Sequence, residues 1–217
     1  MKNKIIVFSS VKGGVGKTSL CANFATFFAE TGVPVLVIDV DRQRSLSRHR
    51  ERDLKAQPSA EVPWNIEWLN TQEVENVKTM MSRAKQLPCC ILIDCPGNIQ
   101  DEALDIIFEA ADVAVVPYEL NSDSVDATIL FAQTFGMSYD AKMFFIPNKV
   151  STVFEKRSST RKSREDAVNG LKKLGTVTPD MKYTVHLSEY STIEVYNWKK
   201  RAAIRDAFTP IYRYVTR

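Results

Sequence analysis

No apolar stretch in this 217-residue chain approaches the roughly 20 residues needed to span a bilayer. The first apolar run, Ile5-Ile6-Val7-Phe8, is short and flows into a polar loop, unlike a secretory leader. The four cysteines, Cys21, Cys89, Cys90 and Cys95, have no C-x-x-C spacing. That argues against an iron–sulfur protein and for reduced thiols in a cytoplasmic one. The adjacent Cys89 and Cys90 precede a strand and read as core packing. There is no internal repeat and no low-complexity segment. Net charge is only +3. One domain, residues 1–217, with a sizeable core is expected at this length.

Glycine is scarce, eight in all, yet three fall within residues 13–16. The stretch is Ser9-Ser10-Val11-Lys12-Gly13-Gly14-Val15-Gly16-Lys17-Thr18-Ser19. A strand-like run leads in, and Leu20, Phe24 and Phe27/Phe28 follow at helical spacing. A glycine loop between a buried strand and a helix N-terminus presents successive amides and the positive end of the helix dipole to one anion. In such a loop Gly13, Gly14, Val15, Gly16 and Ser19 wrap phosphates, Lys17 reaches the β/γ-phosphates, and the Thr18 hydroxyl meets Mg²⁺. A chance Gly-rich turn with two solvated lysines is the alternative. Strand, loop, helix and hydroxyl in register argue against it.

Strand-like runs at 4–9, 35–40, 65–70, 89–94, 112–117, 142–148 and 182–187 alternate with helical patterns. The helices are expected at 17–31, 44–56, 72–86, 101–110, 122–136, 155–174, 188–197 and 199–216. This alternation predicts an α/β fold with a central, mainly parallel sheet of about seven strands; taken with the glycine loop, the chain resembles a doubly wound P-loop NTPase. Ligands bind at the carboxyl ends of such strands, where the remaining motifs fall. After the second strand come Asp39 and Asp41, two carboxylates on one side of an extended segment. After Ile91-Leu92-Ile93 comes Asp94, then Cys95-Pro96-Gly97. An aspartate ending an apolar strand suits the Mg²⁺ shell, and the Gly97 amide suits γ-phosphate sensing. Asn148 follows the sixth strand in Asn148-Lys149-Val150-Ser151. Ser151 stands where guanine readers carry aspartate, so ATP is preferred over GTP, with Asn148 as an adenine contact. Trp64 and Trp68 alternate to one side of the third strand, which reads as edge packing.

The standard phosphate-loop pattern needs glycine at position 11, where this chain has Val11. With Lys12 at its front, the loop resembles the deviant Walker A of the ParA/MinD ATPases, and most resembles the short partition ATPases of the ParA type. The resemblance implies an ATP-sandwich homodimer in which Lys12 reaches the partner's nucleotide. It also implies that Asp41 positions the hydrolytic water and that Asp39 supports the metal. Arg42 and Arg44 replace the proline and glycine of the family's switch segment. Arg44, Arg48 and Arg52 share a helix face, either solvated or part of an anion-binding or dimer surface. The chain starts at its first strand, so no N-terminal helix-turn-helix is expected.

Charge is uneven: residues 151–217 carry fourteen Lys/Arg against seven Asp/Glu. A basic end on a mildly acidic body suits an anionic partner. The resemblance implies non-specific DNA binding by such residues, with Arg157, Arg161, Lys162, Arg164, Lys199 and Lys200 as candidates, and hence nucleoid association. It also implies a partner, either a ParB-like centromere-binding protein or a protein of a conjugative transfer complex. Ile204, Phe208, Ile211 and Val215 form a tail stripe that suits either the core or, as in MinD relatives, a membrane surface. The core is the expectation. A nucleotide-gated scaffold with negligible turnover is a further alternative, prompted by Arg42 and Arg44.

Overall fold

A computed structural model describes residues 3–97, 101–151, 158–184, 187, 189–196 and 198–217. Along the chain run β1 (Lys4–Phe8), α1 (Lys17–Glu30), β2 (Val35–Asp39), α2 (Ser45–Ala56), β3 (Asn65–Trp68), α3 (Val74–Ala84) and β4 (Cys90–Asp94). There follow α4 (Glu102–Ala110), β5 (Val113–Tyr118), α5 (Ser122–Ser138), β6 (Lys142–Pro147), α6 (Ser158–Lys172), β7 (Thr176–Val177) and α7 (Trp198–Val215). The strands pair in parallel in the order β3-β2-β4-β1-β5-β6-β7.

Strands covered on both faces have no solvent side to mark with polar residues. Accordingly β2 and β4 are buried at every position, and the apolar runs are continuous. Leu20, Phe24, Phe28, Leu46, Ile204, Phe208 and Ile211 pack α1, α2 and α7 on one face. Val77, Met81, Leu104, Ile107, Phe131, Phe135 and Leu171 pack α3 to α6 on the other. The tail stripe is spent on the core: Phe208 meets Phe24 at 4.7 Å between ring centres, and Ile204, Ile211 and Val215 are buried. Burying each such side chain is worth about 1.5–3 kcal/mol relative to exposure.

β1 sits where the strand order reverses, the crevice that binds ligands in open α/β sheets. Register makes the crevice level, because Asp94 lies opposite Phe8 of β1 and opposite Asp39 of β2. The ends of three adjacent strands therefore present one row.

Two expectations fail near the C-terminus. Of the strand expected at 182–187, the described residues 182–184 and 187 hold only an isolated bridge from Lys182 to Val150, and the seventh strand is Thr176–Val177. The helix expected at 188–197 is absent among the described residues 189–196. There Ser191 Oγ accepts from the amides of Ile193 and Glu194, a local alternative to helical hydrogen bonds. Trp64 is buried just outside β3, while Trp68 is substantially exposed, so they do not form one packed edge. Arg157 lies outside the described residues, as does the side chain of Arg161.

Candidate nucleotide-binding site

The loop between β1 and α1 has the shape its sequence predicts. Gly14 and Gly16 have φ of +75° and +98°, conformations that side-chain-bearing residues rarely adopt. Gly16 also caps α1, and no side-chain hydrogen bond caps that helix start among the described residues. Those unfilled donors and the dipole behind them favour an anion. Gly13 and Gly14 are exposed and Val15 is buried, so the loop is anchored through its middle. Ser19 Oγ donates to the Gly16 carbonyl at 3.1 Å and firms the turn.

Lys17 is almost wholly buried, and its Nζ donates to the Lys12 carbonyl at 3.3 Å. Burial lowers its pKa, and the charges of Asp94 and Asp41 oppose that shift. Gly97 stands at the tip of Lys17, where an added Cβ would lie 3.7 Å from Nζ. Lys12 is half-buried at the front of the loop, and its amide meets Ser10 Oγ at 3.3 Å.

Asp94 is fully buried, and neither carboxylate oxygen has a hydrogen-bond partner among the described residues. Burial pushes its pKa up to about 8. The Thr18 hydroxyl lies close enough to favour the charged form, though short of hydrogen-bond geometry. An orphaned carboxylate beside a hydroxyl, a lysine and a phosphate loop fits a hard cation that keeps most of its waters. No group of three or more His, Cys, Asp or Glu able to hold a metal occurs among the described residues.

Asp39 is engaged differently. Its Oδ2 accepts from the Ser47 amide at 2.9 Å and from the Ser47 hydroxyl at 2.8 Å, and its Oδ1 accepts from the Asp41 amide at 3.2 Å. Asp39 thus shapes the loop between β2 and α2. Asp41 is half-exposed, and its Oδ1 accepts from the Gln43 amide at 2.9 Å. The two arginines of this loop are both used. Arg42 pairs with Asp101 at 3.6 Å, at the start of α4. Arg44 has φ of +52°, so the backbone keeps the left-handed turn that the family's glycine suits. Its guanidinium lies 5.1 Å from the Trp68 ring and 3.3 Å from Glu51.

Asn148 Nδ2 donates to the Val15 carbonyl at 2.8 Å and so supports the loop. Lys149, also at positive φ, donates to the Gly14 carbonyl and pairs with Glu119 at 3.0 Å. Beside them a cleft of about 210 Å³ is lined by Gly14, Gly16, Asn148, Tyr183, Thr184 and Leu187 among others. The Thr184 hydroxyl is buried without a partner among the described residues. Sequence reasoning missed Lys149, although it stands in the quoted Asn-Lys pair. It also missed Tyr183 and Thr184, which carry no motif.

The DNA candidates are not gathered in one place. Lys162 and Arg164 lie on α6, Lys199 and Lys200 on α7, and the sheet separates these helices. Lys162 and Lys199 are exposed, while Arg164 pairs with Asp180.

A parallel sheet with a glycine loop at its central strand, Lys17 and Thr18 at the helix start, and Asp94 at the neighbouring strand end defines a P-loop nucleotide-binding protein. Residues 6–192 match the model of the CobQ/CobB/MinD/ParA nucleotide binding domain, and the chain belongs to that family. It is 26% identical over 125 residues to Protein ParA of Rhizobium radiobacter, a match covering 58% of this chain and 52% of that protein. The chain thus spans about half the length of this curated relative. Among solved structures, it superposes on a Borrelia burgdorferi B31 protein assigned to plasmid partition and bound to AMPPNP. That match has a TM-score of 0.72 and 16% identity over 99% of this chain and 100% of the other. The MinD cell division protein of Aquifex aeolicus gives a TM-score of 0.75 at 21% identity, over 99% and 97% of the two chains.

Proposed function

We propose that this protein is a Mg²⁺-dependent ATP hydrolase of the ParA type that pairs face to face around ATP and grips duplex DNA without sequence preference. The observation that carries the reading is Asp94, a buried carboxylate with both oxygens unpartnered among the described residues, set between Lys17, Thr18 and the uncapped start of α1. The amides of Gly13 to Thr18 cradle the phosphates, and the Lys17 ammonium lies against the β/γ-phosphates. Asp94 and Thr18 would hold Mg²⁺, and Asp39 supports them through the loop it shapes. When bound, the ion offsets charge on the phosphoryl oxygens. Gly97, at the tip of Lys17, senses the γ-phosphate through its amide. Asp41, with Oδ1 holding the Gln43 amide, keeps Oδ2 for the attacking water. Lys12 completes the site of the second subunit. The cleft beside Asn148 takes the adenine, with the Thr184 hydroxyl as an unspent partner.

In this reading the ATP dimer holds DNA through two separate groups, Arg157, Arg161, Lys162 and Arg164 in one stretch of sequence and Lys199 and Lys200 on α7, and hydrolysis releases it. Turnover is slow and is raised by a partner, either a ParB-like centromere-binding protein or a conjugative transfer protein. The protein works in the cytoplasm, on the nucleoid. A membrane-surface role through the tail is not favoured, because the apolar stripe of α7 is buried against α1.

The test combines ATP turnover in Mg²⁺ and in EDTA, sedimentation velocity in ATP and ADP, and co-sedimentation with random duplex, each repeated with Lys17→Ala. Turnover, dimer and DNA retention that all need ATP and all fail in the variant support the reading. ATP binding without turnover in any condition turns it to a nucleotide-gated scaffold.

A further inference from the structure

Helix α2 carries three exposed cations that the nucleotide site does not use. Arg48, Arg52 and Lys55 are exposed, and none has an ion-pair partner among the described residues. They fall at i, i+4 and i+7, on one face and within about 10 Å of helix axis. They line a cleft of about 600 Å³ with Gln43, Ser45 and Tyr190. The one acid in its lining, Glu51, is paired to Arg44 at 3.3 Å. The wall is built: the Tyr190 ring stacks on His49 at 4.3 Å, and His49 lies 3.5 Å from Asp53. Unpaired cations along a groove with one firm wall suit a run of phosphates rather than a solvated face.

The helix is also fastened to the nucleotide site. Asp39, at the end of β2, holds the first turn of α2 by both the amide and the hydroxyl of Ser47. The loop between them carries Asp41, Arg42 and Arg44. The Asp39–Ser47 bonds and the Arg44–Glu51 pair thus tie the end of β2 and its loop to α2. α2 shares its face of the sheet with α7, whose first turn carries Lys199 and Lys200.

We propose that the Arg48–Arg52–Lys55 groove of α2 is a contact for the phosphate backbone of duplex DNA, coupled to bound nucleotide through the Asp39–Ser47 latch. This rests on the reading of the protein as an ATP-gated DNA binder and assigns part of that grip to residues outside the basic C-terminal third. The occupant is a nucleic-acid backbone because the groove offers three cations in a row on one helix face and a single acid that is already paired. Strand phosphates recur every 3.4 Å along the duplex axis, so about two or three can meet these cations at once.

The experiment is fluorescence anisotropy of a labelled random-sequence duplex with the full chain, in Mg²⁺-ATP and Mg²⁺-ADP, across a salt series. Wild type is compared with an Arg48→Ala/Arg52→Ala/Lys55→Ala variant and with Ser47→Ala. A fluorescent ATP analogue and thermal melting check that each variant folds and binds nucleotide. The triple variant is expected to lose at least about tenfold in duplex affinity. Its slope of log affinity against log salt should flatten by about 2 to 3, since each lost phosphate contact removes about 0.9. Ser47→Ala is expected to narrow the ATP/ADP affinity ratio at least about threefold. A triple variant that binds duplex with wild-type affinity and slope overturns the groove, including when an acidic protein proves to occupy it. An unchanged ratio in Ser47→Ala overturns the latch. Wild type that binds duplex in neither nucleotide state overturns the parent reading instead, a result distinct from either.

Discussion

Asn148 and Gly16 occupy space that one methyl group would contest. A Cβ built on Gly16 would lie 2.5 Å from Asn148 Nδ2, the atom that holds the Val15 carbonyl. Gly16→Ala therefore adds a left-handed backbone penalty to a collision that breaks the loop's support. It is expected to abolish binding of a fluorescent ATP analogue and to destabilise the fold by about 1–3 kcal/mol. Asn148→Ala removes the support without the collision. It should weaken nucleotide affinity by roughly tenfold, close to one lost hydrogen bond to a strained loop. Equal affinities for Asn148→Ala and wild type would show that the loop stands without this bond.

Asp94 makes the empty protein sensitive to pH. Its pKa stands at about 8 in the fold against an ordinary 3.8, because burial penalises the charged form. Between those values the folded state keeps a proton that the unfolded state has released. Stability then falls as pH rises from 3.8 to about 8, and the contribution is flat above. Melting temperatures of wild type and Asp94→Asn, measured without nucleotide from pH 5 to 8, isolate it. Asn should be the more stable of the two at pH 8 and the less pH-dependent. Mg²⁺-ATP should rescue wild type far more than Asn. Parallel pH profiles for the two proteins would contradict a raised Asp94.

Arg44 stands in a conformation that costs about 1 kcal/mol for a residue with a Cβ. Its contacts with Trp68 and Glu51 partly offset that cost. Arg44→Ala loses the contacts and keeps the strain, while Arg44→Gly loses the contacts and the strain together. Urea unfolding should therefore rank glycine above alanine by about 1 kcal/mol. The reverse order would mean that glycine's extra freedom in the unfolded chain outweighs the strain.

These residues also mark how far the sequence could be read. Six strand positions, the loop and Asp94 were legible because a buried parallel strand is one continuous apolar run and each motif closes such a run. The left-handed turn at Arg44 was visible only as a departure from a glycine. β7 was not legible at all: Thr176–Val177 is two residues long, shorter than any periodicity. The false helix at 188–197 fails for a different reason. Thr192 is buried, and Asp53 takes both its amide and its hydroxyl at 2.7 Å. A tertiary hydrogen bond from 139 residues away thus overrides local propensity there. The cleft at Tyr183 and Thr184 was hidden likewise, because folding alone brings that segment against Asn148.

Gly175 is a packing glycine rather than a turn glycine. A Cβ there would lie 2.6 Å from the Met143 carbonyl oxygen and 2.9 Å from the Phe145 ring. The first is backbone of β6 and has no room to yield. Gly175→Ala is expected to destabilise by about 1–3 kcal/mol, in the range of an overpacked core. Its ATP affinity, measured well below the melting temperature, should stay within twofold of wild type. A large loss of affinity with unchanged stability would place Gly175 in the nucleotide site rather than in the core.

Arg50 separates the structural arginine of α2 from the proposed binding ones. It is buried, its Nε donates to Thr192 Oγ1 at 2.9 Å, and one terminal nitrogen donates to the Trp64 and Thr192 carbonyls, each at 2.9 Å. Its guanidinium also lies 4.6 Å from the Trp64 ring. A lysine at this position keeps the charge but cannot reproduce a planar fork that serves three acceptors while stacking on an indole. Arg50→Lys should therefore destabilise by about 2 kcal/mol and loosen the 189–196 segment, read as faster amide exchange at Thr192 and Ile193. Arg48→Lys, two positions earlier and exposed, should leave stability and exchange unchanged. The contrast follows from burial alone, since the two changes are chemically identical. Equal effects at both positions would mean that α2 is held by its own propensity and by Leu46, and not by the arginine beneath it.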